Sequence, residues 1–397
     1  MEKTPSVKNL IAWCCGALLT VAPLSARAAD PYEINVVLSL SGIAAFIGTQ
    51  QAAALKGLEV VENKRGGING RPIKFTIFDD ASNPVNAVQL ANQIIAQKVP
   101  VILGSSITAN CDAIFALVKA NGPVEYCFSP ALHPPAGSFG FSAGASTTDI
   151  STAAIRYFRE RGFTRIALIS STDASGADGE TVVLRSLALP ENKGLTLVAN
   201  EHFGIADVSV GAQISRIKAA NPQVVIAWTS GTPTGTVLRA LHDAGLDVPV
   251  QLNAANIVRA QLRGYATFAP TELFLPGFLF MAPELAPKGP VHDAQQAFFA
   301  ALATQNVTTP EVSHTLAYDA AVVVIDALRH LPANPSAAQL RDAIEQTHGV
   351  AGVDSMLDYR DGSQRGVPIS AIVIIRWDGA KDTFVPVSKP GGAFVKK

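Results

Sequence analysis

Two short polar loops carry the plainest chemistry in this chain. Ser105-Ser106-Ile107-Thr108 follows an apolar run at residues 99–103, and Ser129-Pro130-Ala131 follows a second run at 124–128. A helix-like segment at 112–119 lies between them, so the unit reads strand, loop, helix, strand, loop. A crossover of that length joins parallel strands and puts both loops at one carboxyl edge of a sheet. Open α/β sheets take ligands outside that edge. Hydroxyls and backbone N–H groups at a helix N-terminus suit a small anion such as a carboxylate. His133, two residues beyond Ala131, is a further candidate for that site, and the loop His-Pro-Pro is an equally good surface explanation for it.

Other patterns point to different chemistry and fit less well. Gly140-Phe141-Ser142-Ala143-Gly144 spells the G-x-S-x-G of a nucleophile elbow, which would make Ser142 the nucleophile of a hydrolase with His292, His314 or His348 as its base. That turn needs a buried strand directly before the serine and a helix directly after it; here a Pro-Gly loop precedes it and the helical pattern starts late. The run 231–235, GTPTG, lacks the Lys-Ser/Thr of a phosphate-binding loop and reads as a loop ahead of a helix. Asp79-Asp80 ends a strand just before Asn83-Pro84, which suits helix capping better than a metal. No cofactor or metal is implied. Phe46 sits on the loop after the first strand and is expected at a cleft; Trp228 ends a strand, where it could stack on a ring or fill the core.

These loops need a scaffold, and the composition supplies one. The chain has 397 residues, 48% hydrophobic and 16% charged, with a formal net charge of −1. That length exceeds one typical core and suggests two domains. With no basic block, nucleic acid is excluded as a partner class. Lys3 and Lys8 precede an apolar run at 10–21, and Ala26-Arg27-Ala28 follows; residues 1–28 are expected to be a secretory signal peptide cut after Ala28. Cys14 and Cys15 leave with it. Two cysteines remaining in an exported protein favour one disulfide, Cys111 to Cys127.

In order, strands are expected at 34–40 and 73–78 with helices at 48–62 and from 84, leading into the first unit. A second series follows: helix 149–161, strand 165–169, polar loop 170–179, strand 195–202, helix 208–219, strand 224–227, helix 234–244 and strand 248–252. Alternation of this kind is the signature of doubly wound parallel sheets. The tail holds helices near 291–305, 313–329 and 336–347 and a strand at 371–377. It is too short for a third domain and is expected to return to the first two.

The segments NVVLSLSG, AAFIG and ALKGLEVVENKRGGINGRPIKFTIFDDASNPVNAVQLANQII within residues 35–95, VILGSSITA (101–109), FSPALHPP (128–135), TRIALISSTDASGADG (164–179) and PQVVIAWTSGTPTGTVLRALHDAGL (222–246) give the chain a family likeness. It resembles the type I periplasmic solute-binding proteins of ABC importers, in the leucine/isoleucine/valine-binding branch. The resemblance implies an α/β fold of two Rossmann-like domains joined by three crossovers, near 141–144, 277–281 and 359–362. Domain 1 would be 29–142 plus 280–359, and domain 2 143–279 plus 360–397. It also implies a periplasmic, non-enzymatic receptor that passes a small-molecule carboxylate to a membrane permease, or serves a chemosensory partner.

The ligand-binding positions carried over are Phe46, Ser105, Ser106, Thr108, Ala131 and His133 on one domain and Ser175, Thr229, Ser230 and Asn253 on the other. The chain departs from the family at three points. The stretch 252–256, LNAAN, holds no carboxylate for a ligand ammonium, and the aromatic residues expected near Ser175 and Ser230 are missing. The usual disulfide positions look like Ser82 and Ile107, so Cys111–Cys127 would replace that bridge. An unpaired ammonium in a closed cleft costs several kcal/mol, so a ligand with a carboxylate and no α-amino group is expected. With the AAF loop and a second wall of smaller residues leaving room for a flat ring, the chain resembles the branch of the family that binds aromatic acids such as benzoate or hydroxycinnamate derivatives. A branched-chain or other hydrophobic amino acid is the alternative.

Overall fold

The structure is a computed structural model that describes residues 1–2, 30–286 and 288–395; the expected signal segment falls outside them apart from Met1 and Glu2. The chain begins with β1 (Tyr32–Leu38), α1 (Ala45–Lys64), β2 (Ile73–Asp79), α2 (Pro84–Ile95), β3 (Val101–Leu103), α3 (Thr108–Val118), β4 (Val124–Cys127) and β5 (Gly140–Ser142). These strands form a parallel sheet in the order β2-β1-β3-β4-β5. Side chains alternate across a strand, so Val36 and Leu38 join the main core with Leu55 and Leu58 of α1. Val37 and Ile102 face the other way, onto Ala87, Ala91 and Ile94 of α2 and Ile114 of α3.

The second series is α4 (Thr147–Glu160), β6 (Arg165–Ser171), α5 (Ala174–Leu187), β7 (Thr196–Phe203), α6 (Gly211–Ala219), β8 (Val224–Trp228), α7 (Thr232–Asp243), β9 (Val250–Leu252), α8 (Arg259–Arg263) and β10 (Leu273–Phe278). The chain then runs through α9 (Pro290–Ala303), α10 (Val312–Arg329), α11 (Ala337–Glu345) and the hairpin of β11 (His348–Ala351) and β12 (Met356–Asp358) before β13 (Ile372–Asp378) and β14 (Thr383–Pro386). The second sheet has the order β14-β13-β10-β9-β8-β6-β7, with β13 and β14 antiparallel to their neighbours. Helices α9 and α10 return to pack on α1, and α11 reaches β4. The chain therefore passes between the two sheet units three times, after β5, β10 and β12.

Each sheet has its strand order reverse at one place: between β1 and β3 in the first, and between β6 and β8 in the second. Such switch points open a crevice at the carboxyl edge. The two crevices face one another.

Several expectations change in detail. Helix α3 starts at Thr108, four residues before the apolar spacing becomes visible, because its N-cap residue, Ile107, carries no capping side chain to announce it. Strand β10 begins at Leu273 and contains Pro276, which reads as a breaker. It pairs with β9 only at Leu273 and Phe274, so at Pro276 one edge is open and the missing N–H leaves no ladder bond unmade. Asp79 and Asp80 cap no helix; Asn83 does that, accepting from the Val85 N–H at 2.8 Å. Asp79 Oδ1 instead accepts from the N–H groups of Leu40, Ser41 and Ala81, and Asp80 Oδ1 from Ser39 Oγ and the Ser82 N–H. The pair fastens the loop after β1 to the end of β2. Cys111 and Cys127 are joined as a disulfide between α3 and β4.

Candidate ligand cavity

A cavity of about 320 Å³ lies between the two carboxyl edges, within the size range of small-molecule sites. One wall comes from the loop and first turn of α1 (Ala44, Phe46, Ile47), from Ser106, Thr108 and Ala109 at the start of α3, and from Phe128, Ser129, Pro130 and Ala131 after β4. The other comes from Asp173 and Ser175 at α5, Trp228, Thr229, Ser230 and Gly231 ahead of α7, and Asn253 after β9. Val312, Ser313 and Leu316 of α10 and Phe278 close the ends. A second cavity, about 640 Å³, meets the first at Ile43, Phe46, Gly231 and Thr232 and runs outward along α7 and α8.

The local chemistry suits a ligand with an anionic group and an apolar body. Helices α1, α3 and α7 reach the cavity with Ala44, Ile107 and Gly231 at their N-caps, none of which offers a side-chain acceptor. Their first N–H groups lack intrahelical partners, and an anion can serve as the missing cap. The Thr108 and Ser129 hydroxyls are 2.9 Å apart and hold the two loops together. On the facing wall, Asn253 Nδ2 donates to Ser230 Oγ at 3.2 Å, and Asn253 Oδ1 accepts from the Ala255 N–H. The Thr229 hydroxyl is buried with no partner among the described residues. Phe46, Ile47, Phe128, Ile150, Trp228, Phe278 and Leu316 supply apolar surface.

Of the ten positions expected from sequence, the structure brings Phe46, Ser106, Thr108, Ala131, Ser175, Thr229, Ser230 and Asn253 to this cavity, and leaves Ser105 and His133 outside its lining. Ser105 is fully buried and donates to Asp80 Oδ2 at 2.5 Å, so its hydroxyl braces the switch point and does not face a ligand. His133 reaches instead across to Asp178 on α5 of the facing unit, 2.7 Å away.

Asp173 is a lining residue that the sequence reading did not single out. It is the charged side chain in the lining, and it caps α5 by accepting from the Gly176 N–H at 3.1 Å while Ser171 Oγ donates to the same oxygen at 2.6 Å. The signal was an Asp at the end of a strand just before Ala-Ser-Gly, a helix-start pattern. Trp228 and Phe278 bring aromatic surface to the cavity from other positions.

Ser142 has no elbow. It ends β5, is fully buried, donates to the Ser129 carbonyl at 2.8 Å and accepts from Arg365, and the next helix begins only at Thr147. His314 is engaged at the start of α10, where Nδ1 accepts from the Glu311 N–H.

A family model described as periplasmic binding protein matches residues 31–382. The chain is 25% identical to a Leu/Ile/Val-binding protein homolog 3 of Brucella melitensis over 91% of this chain and 95% of that one. It is 27% identical to a leucine-, isoleucine-, valine-, threonine- and alanine-binding protein of Pseudomonas aeruginosa; that match spans 55% of this chain and only 59% of the relative's length. A solute-binding protein of an ABC transporter from R. palustris, solved in complex with benzoate, superposes with a TM-score of 0.73 at 17% identity, covering 93% of this chain and 98% of that one.

Proposed function

The chain belongs to the periplasmic binding protein family, and from that premise we propose that it is the receptor of an ABC importer, closing two lobes over one aromatic carboxylate. It is a solute-binding protein and not an enzyme. We assign residues 29–142 and 280–359 to one lobe and 143–279 and 360–397 to the other, with export to the periplasm by the leading segment. The loaded protein would deliver its ligand to a membrane permease.

The observation that carries the ligand class is the lining itself. Three uncapped helix starts reach the cavity, its body is apolar, and it contains no cationic side chain among the described residues. A carboxylate satisfies the free N–H groups, and a flat ring covers the surface between Phe128, Trp228 and Phe278. The benzoate complex of the R. palustris relative supports this chemistry by analogy of fold.

One feature favours an amino acid instead. Asp173 uses Oδ1 for the α5 cap, which leaves Oδ2 to meet a ligand ammonium, and the curated relatives are named for branched-chain amino acids. A thermal-shift screen of the protein with benzoate, 4-hydroxybenzoate, cinnamate, leucine and valine separates the two. A ligand at 100 times its Kd stabilises the folded state by about 2.7 kcal/mol. The aromatic acids are expected to raise the melting temperature and the amino acids to leave it unchanged; the opposite result reassigns the site to amino acids.

A further inference from the structure

His133 lies outside the cavity and joins its two walls. Its Nε2 is 2.7 Å from Asp178 Oδ1 on α5, across the cleft, and 3.1 Å from Thr147 Oγ1 at the start of α4. Its Nδ1 is 3.4 Å from Arg365 Nη2. Arg365 comes from the third passage between the lobes, after β12. The same Nη2 donates to the Leu132 carbonyl, while Nη1 donates to Ser142 Oγ at 2.9 Å, and that hydroxyl donates onward to the Ser129 carbonyl. One guanidinium therefore grips both ends of residues 129–132, the loop that gives the cavity Ser129, Pro130 and Ala131.

The arrangement is costly enough to need an explanation. Arg365 is buried with no carboxylate in contact among the described residues; burial pulls its guanidinium down to about 10, offset by the charges of Asp178 and Asp149. It stays a cation at neutral pH. A buried charge persists where its hydrogen bonds are well formed, and the planar fork of arginine matches two acceptors in a way lysine cannot. Asp112 on α3 also faces this cluster; burial and the Asp178 charge push its carboxyl up, and His133 eases it.

We propose that Arg365 and the His133–Asp178 pair are positioning residues for ligand capture: Arg365 fixes the 129–131 wall, and His133 clasps that wall to α5 when the lobes close. The inference rests on the cavity being the ligand site. None of the three lines the cavity, so their effect passes through the loop and through closure.

The test compares the protein with its Asp178→Asn, His133→Gln, doubly substituted and Arg365→Lys forms. Benzoate and leucine are the probes, read by calorimetry and stopped-flow dissociation, with X-ray scattering of the ligand-free proteins. A half-exposed pair of this kind is worth up to about fivefold in affinity. Each single substitution at the clasp is expected to weaken whichever probe binds, by faster dissociation, with His133→Gln leaving the melting temperature unchanged. The double form should be no weaker than either single one, and Arg365→Lys should speed amide exchange at Leu132. Unchanged dissociation in both single forms, or additive losses in the double form, overturns the proposal. If neither probe binds the parent protein, the cavity reading fails separately, and scattering decides the clasp. A larger radius of gyration in Asp178→Asn upholds it, and an identical one refutes it.

Discussion

Ser106 Oγ lies 2.7 Å from Gln51 Oε1 and accepts from the Ser39 N–H at 3.1 Å, directly at the β1/β3 switch point. In this orientation the serine's single proton goes to Gln51, while Gln51 Nε2 is buried with no partner. Turning the amide end for end lets Nε2 donate to Ser106 Oγ and releases the hydroxyl proton to the cavity. Gln51, fully buried on α1, thus controls whether Ser106 can donate to a carboxylate.

Gln51→Glu cannot make that turn once ionised, because a carboxylate only accepts. Losing one charge-assisted hydrogen bond to a ligand carboxylate costs about 1.5–3 kcal/mol, or roughly ten- to a hundredfold in affinity. Calorimetric titration with benzoate should show that loss, and equal affinity would remove Ser106 from the anion site.

Asp173→Asn separates the two ligand classes. The amide still accepts the Gly176 N–H, so α5 keeps its cap. Removing a carboxylate beside an anion site should leave benzoate affinity unchanged or raise it, whereas a ligand ammonium would lose its partner. A loss of benzoate binding on this substitution would contradict the anion reading.

Gly179 sets the position of Trp228. A Cβ at residue 179 would come within 2.2 Å of the indole Cγ and Cδ1, so Gly179→Ala must displace the ring, which lines the cavity. Overpacking of this kind costs about 1–3 kcal/mol. The expected result is a lower melting temperature with weaker benzoate binding, both partly restored by adding Trp228→Phe. An unchanged affinity would place Trp228 in the core alone.

The stability of the fold should also depend on pH through buried carboxyls near the lobe crossings. Burial pushes Asp319 up to about 7 against the pull of the Val353 N–H. Burial and the Asp319 charge raise Asp354 well above its usual range, although Asp354 accepts from the Phe280 N–H at 2.8 Å. A carboxyl raised in the native state binds more protons there than when unfolded. Its stabilisation is full below about pH 4 and lost as pH rises toward 7, at up to about 1.4 kcal/mol per pH unit for each group. Urea unfolding between pH 4 and 7 should show a shallower fall in Asp319→Asn than in the parent. Identical slopes would contradict this assignment.

The first sheet was legible because its strands are apolar runs ending in Ser-Gly or Gly-Ser-Ser loops, and its helices carry regular spacing. Ser106 and Ala131 followed, since each lies on a polar loop after a recognisable strand, whereas Ser230 and Asn253 came from the family resemblance. Other features depend on contacts between distant segments and leave little local trace. β10 hides Pro276 at an open edge, and β14 and the hairpin of β11 and β12 are only three or four residues per strand. His133 looked like a ligand contact by its place after Ala131, but Asp178, 45 residues away, draws it to the opposite lobe. Asp173 was overlooked because the expected acid belonged to another loop, although both loops reach one cavity.

The most direct test is a crystal structure of the protein with benzoate. The account predicts both lobes closed on a single benzoate in the 320 Å³ cavity, its carboxylate within hydrogen-bond distance of the Ser106 hydroxyl and the α3 N-terminal amides, and its ring against Trp228. A benzoate seated in the outer cavity, or one with its carboxylate turned toward Trp228 and away from α3, would contradict it.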